Sequence, residues 1–243
     1  MLAANSFFTW RSASGGGDPY WSSVTLSARF DGTNGSTSFP DASLAANTLT
    51  AVGTAQLSTT SPKFGSASLS LSGSGAYVTI PGGPWIQVGS AAFTLEMWIN
   101  KNAGFTNHKR IFSFQNSSIS GFFDEGIVIE IEQTTGRIGG AIFVGSTGYS
   151  VTDTVAITTG AWVHVQLVYT GSAIYLFKDG ALVGSIAASG AVNYNAGWKG
   201  CIGRHAGSPS RDFDGRISDV RFTKGVARNT SSFSVPTGFQ PQF

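Results

Sequence analysis

The chain has 243 residues, of which 41% are hydrophobic and 12% are charged, and its net charge is +2. This length fits one large domain, or one domain with an arm. So small a net charge gives no argument for nucleic-acid binding, and no apolar run is long enough to insert into a membrane. Cys201 is the only cysteine, which excludes an internal disulfide framework.

The charged fraction is about half of the usual value of roughly 25%. A subunit that buries surface against its neighbours needs less charge than a monomer does, so we expect an oligomer.

Residues 1–17 differ in composition from the rest of the chain. Phe7, Phe8 and Trp10 lie close together and are followed by RSASGGG, which is typical of a flexible linker. We interpret residues 1–17 as an arm that anchors the chain to a partner through these aromatic side chains, and residues 18–243 as the folded domain. The alternative is a disordered leader, which is common at chain termini. The N-terminus lacks the basic start and apolar segment of a secretion signal, so we expect synthesis in a cytoplasm.

Beyond the arm, the pattern of apolar residues indicates β-strands. FTLEMWIN (93–100) alternates apolar residues with polar ones and Trp98, which is the period of a half-buried strand. GIVIEIEQ (126–133) and WVHVQLVY (162–169) behave in the same way. Asp179-Gly180 supplies the positive φ angles of a type I′ turn and predicts a hairpin over 173–187. Further strands are predicted near 24–30, 67–72, 76–80, 109–114, 137–144, 198–203 and 213–222. Many short strands without an amphipathic helix predict an all-β sandwich or barrel.

The last predicted strand contains an irregularity. It lies in FDGRISDVRFTKGVARN (213–229), where Ile217 and Val220 are three residues apart and cannot share one face of a regular strand. Either both faces are covered, or a bulge near Ser218 and Asp219 shifts the phase. In both cases the Asp219 carboxylate needs a partner.

Five segments of the chain follow one another as in a known family: DPYWSSVTLSARFDGTNGSTSFPDAS, SPKFGSASLSLSGSGAYVTIP, FTLEMWI, GAWVHVQLVYTGSAIYLFKDGALVGS and FDGRISDVRFTKGVAR. Together they resemble the concanavalin A-like, laminin-G-like jelly-roll domains that are frequent in bacteriophage structural proteins, over about residues 18–236. The resemblance implies a two-sheet antiparallel jelly roll with a concave face. It also implies a virion-associated protein, either a capsid decoration (cement) protein or a tail-fibre component. Trimers are frequent among such phage appendages, so the resemblance favours a homo-trimer.

The resemblance also implies a structural tie near the closing strand. In many laminin-G-like relatives, a calcium ion or a hydrogen-bond network joins the loop after the first strand to the closing strand. The matching acids here are Asp41 and Asp219. Calcium takes about six to eight oxygen ligands, and loop carbonyls would have to supply most of them. The alternative is that Asp41 caps a turn and Asp219 pairs with an arginine or backbone amides. No cofactor other than calcium is expected.

An enzymatic site is not expected from the sequence. Glucanases of this fold resemble E-x-D-x-x-E, whereas this chain has E-I-E-Q, with Glu130 and Glu132 two residues apart and no third acid. Retaining glycosidases need two carboxyl groups about 5–5.5 Å apart, but we interpret these glutamates as solvated residues on a sheet face. There is no G-x-S-x-G nucleophile motif, and the three histidines lie in different segments.

Two features of the sequence suggest binding. Trp98, Trp162 and Trp198 could stack on sugar rings, although packing in a core or interface is the more frequent fate of tryptophan. Between Lys199 and Arg228, seven basic residues, among them Arg204 and Arg211, outnumber three acidic ones. This excess could contact an acidic glycan or a neighbouring subunit, or it could be a spread of unconnected surface charges.

The sequence therefore predicts a non-catalytic structural or accessory protein of a phage virion, made in the host cytoplasm and anchored by its arm to capsid or tail subunits. The alternative is a lectin-like adhesion module that binds a host-surface glycan.

Overall fold

A computed structural model describes residues 17–102, 108–116, 125–207 and 209–242. These residues form sixteen strands and two short 3₁₀ turns, Trp21–Ser23 and Pro209–Arg211. In chain order the strands are β1 Val24–Ala28, β2 Ser38–Phe39, β3 Leu49–Val52, β4 Gln56–Ser58, β5 Ser68–Ser72, β6 Tyr77–Pro81, β7 Phe93–Lys101, β8 Lys109–Gln115, β9 Glu125–Ile131, β10 Arg137–Val144, β11 Thr147–Ala156, β12 Trp162–Tyr169, β13 Ala173–Lys178, β14 Ala181–Ala187, β15 Lys199–Ile202 and β16 Asp214–Lys224.

The strands form two sheets of eight strands each. The first sheet has the order β14-β13-β12-β7-β16-β5-β4, with β1 also paired to β16, and the second has the order β11-β10-β9-β8-β15-β6-β3-β2. Neighbouring strands are antiparallel throughout, as in the central pairs β7–β12 and β7–β16. The predicted jelly-roll sandwich is thus confirmed.

The core lies between the two sheets and is built by strict alternation. On β7, Phe93, Leu95, Met97 and Ile99 point inward and are fully buried. Aromatic and aliphatic residues of β8 and β9, such as Phe112, come from the second sheet and are equally buried. Burial of such alternating faces is what holds two sheets together at a spacing of about 10 Å.

The outward-facing residues of β7 are buried too, because residues 225–242 cross the outer face of the first sheet. We call this segment the strap. Phe233 of the strap packs edge-on against His164 and Phe177, with ring centroids 5.9 and 5.4 Å apart. Its backbone N–H donates to the Gly180 carbonyl. A Cβ at Gly180 would lie 2.0 Å from the Phe233 carbonyl oxygen, so this turn requires glycine to let the strap approach.

Several local predictions are confirmed. The strand Trp162–Tyr169 coincides with the predicted range. Asp179 and Gly180 have φ angles of 49° and 76°, as a type I′ turn requires. In β16 the register with β7 shifts between Ser218 and Arg221, which is the expected bulge.

The strand β11, Thr147–Ala156, was not predicted. Its side chains are mostly exposed and include few apolar residues, so it lacks the alternation that marks a half-buried strand. Among the described residues, no helix has the length and apolar character needed to cross a membrane.

Candidate functional site

A network of buried charges lies on the outer face of the first sheet. Glu96 on β7 is directly opposite Arg221 on β16. Its Oε1 atom accepts hydrogen bonds from Arg221 Nε at 2.9 Å and Nη2 at 2.8 Å. Arg221 Nη1 donates to Asp18 Oδ2 at 2.8 Å, which ties the start of the domain to its closing strand.

The strap joins this network through Arg228. Its Nη1 and Nη2 atoms donate to the two carboxylate oxygens of Asp18, at 3.0 and 2.5 Å. Its Nε donates to Thr223 Oγ1 at 2.8 Å. Such forked contacts between guanidinium and carboxylate are among the stronger hydrogen bonds in proteins. They fix the direction in which the strap leaves β16.

Glu96 is held in its ionised form. Burial alone would raise its pKa, but the charges of Arg221 and Arg228 and the neighbouring His164 outweigh burial and hold the pKa well below its usual range. Its second oxygen, Oε2, accepts from Gln166 Nε2 at 3.0 Å. His164 Nε2 is 3.6 Å from the same oxygen, too far for a direct hydrogen bond. Both Glu96 oxygens therefore already have donors.

An open pocket of about 270 Å³ lies over this network, with residues of the strap in its lining. We call it the strap pocket. It is lined by Tyr20, Glu96, Arg221, Arg228, Asn229, Phe233, Ser234 and Pro236. Tyr20 is 39% exposed, and the guanidinium of Arg228 lies 5.2 Å from the centre of its ring. Asn229 Nδ2 donates to Gln166 Oε1 at 3.0 Å, which orients its amide. The pocket thus combines aromatic walls with planar polar groups whose orientations are fixed.

The predicted calcium ligand Asp41 is surrounded by hydrogen-bond donors. Its Oδ1 atom accepts from the backbone N–H groups of Ser27 and Ser43, at 2.8 and 2.9 Å. Its Oδ2 atom accepts from Ser43 Oγ and from the backbone N–H and side-chain amide of Asn47, at 2.9, 2.8 and 2.7 Å. These groups present hydrogens rather than lone pairs, so they fit the turn-capping alternative and do not fit a cation.

The second predicted ligand, Asp219, lies in the β16 bulge with a φ of 53° and is 3% exposed. Its Oδ2 atom accepts from the backbone N–H of Gln240 in the strap, at 2.8 Å. Burial raises its pKa to about 6, although the Gln240 N–H and the charge of Arg221 oppose that shift. Among the described residues, no three His, Cys, Asp or Glu side chains are grouped to hold a metal ion. Calcium binding stays a prediction that these contacts do not support.

Trp98 and Trp162 lie on the same face of the first sheet, separated by one residue pair in the register of β7 and β12, whereas Trp198 precedes β15 of the second sheet. Trp98 is 4% exposed and is covered by Lys63, whose Nζ lies 3.6 Å from the ring centre. Trp198 is 9% exposed and packs in the core against Phe114. Trp162 is half-buried at the start of β12. The structure therefore places Trp98 and Trp198 in packed positions and leaves Trp162 partly accessible.

The predicted basic cluster is divided between the two faces of the sandwich. Arg204 follows β15 of the second sheet, where its guanidinium lies 4.4 Å from the Tyr77 ring centre and pairs with Asp212 at 2.8 Å. Arg211 is half-buried in the 3₁₀ turn that precedes β16. Arg221 and Arg228, by contrast, belong to the network on the first sheet. Phe7, Phe8 and Trp10 of the predicted arm lie outside the described residues.

The glutamates considered for glycosidase chemistry have other partners. Glu130 on β9 pairs with Arg110, with 2.5 Å between Oε2 and Nη1, and its side chain is 26% exposed. Glu132 lies just beyond β9 and accepts a hydrogen bond from the Thr135 hydroxyl.

Sequence reasoning missed the network of Asp18, Glu96, Arg221 and Arg228. A signal for it was present, because DPYW, EMW and DVRF each place a charged residue beside apolar ones in strands or turns. Nothing in the sequence joined these segments, since Asp18 and Arg228 are 210 positions apart.

The fold is a concanavalin A-like jelly-roll sandwich. Residues 72–230 match a laminin G family model described as the concanavalin A-like lectin/glucanases superfamily. This match covers more than half of the chain, so the protein belongs to that superfamily. The comparison with curated proteins found no match.

Solved structures of binding domains have the same fold. The binding domain of Paraclostridial Mosquitocidal Protein 1 superposes with a TM-score of 0.66 at 12% identity, over 86% of this chain and 50% of that one. Domain 4 of the extracellular arabinanase AbnA from Geobacillus stearothermophilus, in complex with arabinotriose, gives 0.63 at 19% identity, over 84% and 93%. The binding domain of botulinum neurotoxin DC in complex with SialylT gives 0.61 at 13% identity, over 85% and 49%. The chain thus spans about half the length of these two toxin domains.

The first prediction concerns the charge network. Glu96→Gln should lower the free energy of unfolding by about 3–5 kcal/mol, because it leaves two buried guanidinium groups with the single carboxylate of Asp18. Glu130→Gln is the matched control and should cost clearly less, because its carboxylate is partly exposed and Arg110 keeps its buried partner Glu125 at 2.9 Å. Denaturant unfolding of both variants measures this difference. Equal, small effects would show that the network does not hold the strap.

The second prediction concerns pH. Because the pKa of Asp219 is raised to about 6 in the folded state from an ordinary value of 3.8, the folded state binds this proton more tightly, and stability is gained as pH falls through 6. Linkage predicts that the wild type gains about 2 kcal/mol relative to Asp219→Asn between pH 7.5 and pH 4.5. Asparagine keeps an acceptor for the Gln240 N–H and tolerates a positive φ.

Denaturant unfolding of the wild type and Asp219→Asn at several pH values tests this linkage. Asp179→Asn, at a φ of 49°, controls for the same substitution in another positive-φ turn. A stability difference between wild type and Asp219→Asn that is independent of pH, or that changes with the opposite sign, would contradict the prediction.

Proposed function

We propose that this protein is a lectin-like carbohydrate-binding module whose ligand occupies the strap pocket. The observation that carries the proposal is the composition of the pocket. Tyr20 and Phe233 provide aromatic surfaces, while Arg228 and Asn229 provide hydrogen-bond donors in fixed orientations. A sugar ring has apolar C–H faces that stack on aromatic rings and hydroxyl groups that bond to planar polar side chains.

The size of the pocket supports a small ligand. Its volume of about 270 Å³ is close to the lower end of the range of roughly 300–1,000 Å³ for small-molecule sites. Such a space suits one sugar ring rather than a buried oligosaccharide. The hydrogen bonds beneath the pocket fix its polar groups before a ligand arrives, which reduces the entropy lost on binding.

The comparisons support the class of function and leave the ligand open. The structural neighbours include toxin binding domains and a domain in complex with arabinotriose. These neighbours superpose on this chain at TM-scores of 0.66 and 0.63 but are only 12% and 19% identical to it, so they establish a shared fold and no more. The proposal for a ligand therefore rests on the pocket of this chain.

We propose binding without catalysis. Glu96 is the carboxylate that lines the pocket, and its oxygens already accept from Arg221 and Gln166. With its pKa held far below the usual range, it is poorly suited to give up or take a proton near neutral pH. Burial raises the pKa of the Cys201 thiol to about 12, so that side chain is no nucleophile at neutral pH.

A second candidate role is display on a phage virion. It is favoured by the resemblance of the closing motif to phage structural proteins and by the aromatic arm in a chain with only 12% charged residues. In this role residues 1–17 bind a capsid or tail subunit, the sandwich carries the strap pocket outward, and the protein is a homo-oligomer, with a trimer favoured. The two roles are compatible, because one uses the arm and the other the domain.

The third prediction tests the arm. Deletion of residues 1–17 should release the protein from the particle while the domain keeps its thermal unfolding temperature. Replacement of Phe7, Phe8 and Trp10 by serine is the matched variant of full length. Particle association, measured by co-sedimentation, should be lost in both variants. Undiminished association would exclude the arm as the anchor.

The fourth prediction tests the strap pocket. Tyr20→Ala should weaken binding of the best ligand on a glycan array by about three- to tenfold, the amount expected for loss of one aromatic contact. Tyr77→Ala is the matched control, because Tyr77 also lies against an arginine but on the second sheet. Titration calorimetry of both variants measures the change. Equal losses in the two variants, or loss only in Tyr77→Ala, would place the ligand elsewhere.

A further inference from the structure

The charged groups of the strap pocket are arranged asymmetrically. The side chains of Arg221 and Arg228 are 8% and 10% exposed, whereas those of Asp18 and Glu96 are 1% and 3% exposed. Asp18 does not line the pocket. Asp18 therefore lies behind the guanidinium groups, whereas two cations and the single carboxylate of Glu96 line the pocket.

Both arginines keep donor capacity beyond the network. A guanidinium has five N–H donors. The hydrogen bonds of Arg221 to Glu96 and Asp18 use three of them. Those of Arg228 to Thr223 and Asp18 also use three. Each group thus has two N–H bonds beyond those that fix its position.

The charged acceptor of the pocket is largely occupied. Glu96 Oε1 accepts twice from Arg221, and Oε2 accepts from Gln166, which uses three of about four lone-pair sites. The Asn229 amide and the Tyr20 and Ser234 hydroxyls add neutral donors and acceptors. The charged groups with capacity to spare are thus the two guanidinium groups, which favour a ligand with a negative charge.

We infer that the sugar bound in the strap pocket carries a carboxylate, as uronic and sialic acids do. This inference rests on the proposed function and specifies its ligand class. The carboxylate contacts the N–H groups of Arg221 and Arg228, and the ring lies against Tyr20. Arginine suits this task because its planar guanidinium group holds the N–H donors that the network leaves over in fixed directions, which the ammonium group of lysine does not.

The test compares sugars that differ only in charge. Titrations of the full chain with methyl β-glucuronide and methyl β-glucoside, and with 3′-sialyllactose and lactose, should show at least one acidic sugar binding ten or more times more tightly than its neutral counterpart. The uncharged amide of the preferred acid should lose that advantage. This comparison of sugars needs no protein variant, so its result holds even where a substitution disturbs folding.

Protein variants then locate the carboxylate. Arg228→Lys keeps the positive charge but removes the two N–H donors that the network leaves over, and the preference for the acid should fall below threefold. Arg204→Lys is the matched control, since Arg204 also pairs with an aspartate and lies over a tyrosine, but on the second sheet. Its preference for the acid should be unchanged. A preference for the acid that survives Arg228→Lys, or one that is lost equally in Arg204→Lys, would overturn the inference.

The outcomes separate the two proposals. If a neutral sugar binds as tightly as its acidic partner and that binding is weakened by Tyr20→Ala, the carboxylate inference is wrong while the proposed function stands. If no sugar on a glycan array or in these titrations binds, the proposed function itself fails.

Discussion

The ion pair between Glu96 and Arg221 is the contact on which the outer face of the first sheet depends. It joins the two central strands β7 and β16, and through Asp18 and Arg228 it reaches both the start of the domain and the strap. Burying charges is costly unless each one is paired and hydrogen-bonded. In this network each carboxylate accepts hydrogen bonds from a guanidinium group. This pairing allows the strap to cover the outer face of the sheet.

That constraint also creates the strap pocket. The strap is held at Arg228 by the network, at Phe233 by His164, Phe177 and the Gly180 turn, and farther along at Gln240 by Asp219; the pocket lies between the first two of these points. A rigid floor of guanidinium groups below an aromatic wall is an arrangement that stability alone does not require, since well-packed apolar residues can replace a buried ion network without loss of stability.

Much of the sandwich follows from the sequence, because the alternation of apolar and polar residues identifies the strands and their two faces. The hairpin at Asp179-Gly180 follows from the preference of these residues for a type I′ turn. The bulge at Asp219 follows from the break in the apolar alternation between Ile217 and Val220. Alternation assigned Trp98 to the outer face, but it could not show that Lys63 and Phe64 cover that ring.

The strap pocket could not be predicted, since it depends on contacts between residues about 200 positions apart. Glu96 and Arg221 become neighbours only through the strand order, which a single sequence does not specify. The resemblance to laminin-G-like domains supplied the closing motif but not the partner of its arginine.

The central claim is that the strap pocket holds one sugar ring. The most direct measurement is a crystal structure of the full chain with the tightest ligand from a glycan array. Our account predicts a ring between Tyr20 and Phe233, with its polar substituents within hydrogen-bond distance of Arg228 and Asn229. A ring bound on the outer face of the second sheet, or at Trp162, with the strap pocket empty, would contradict it.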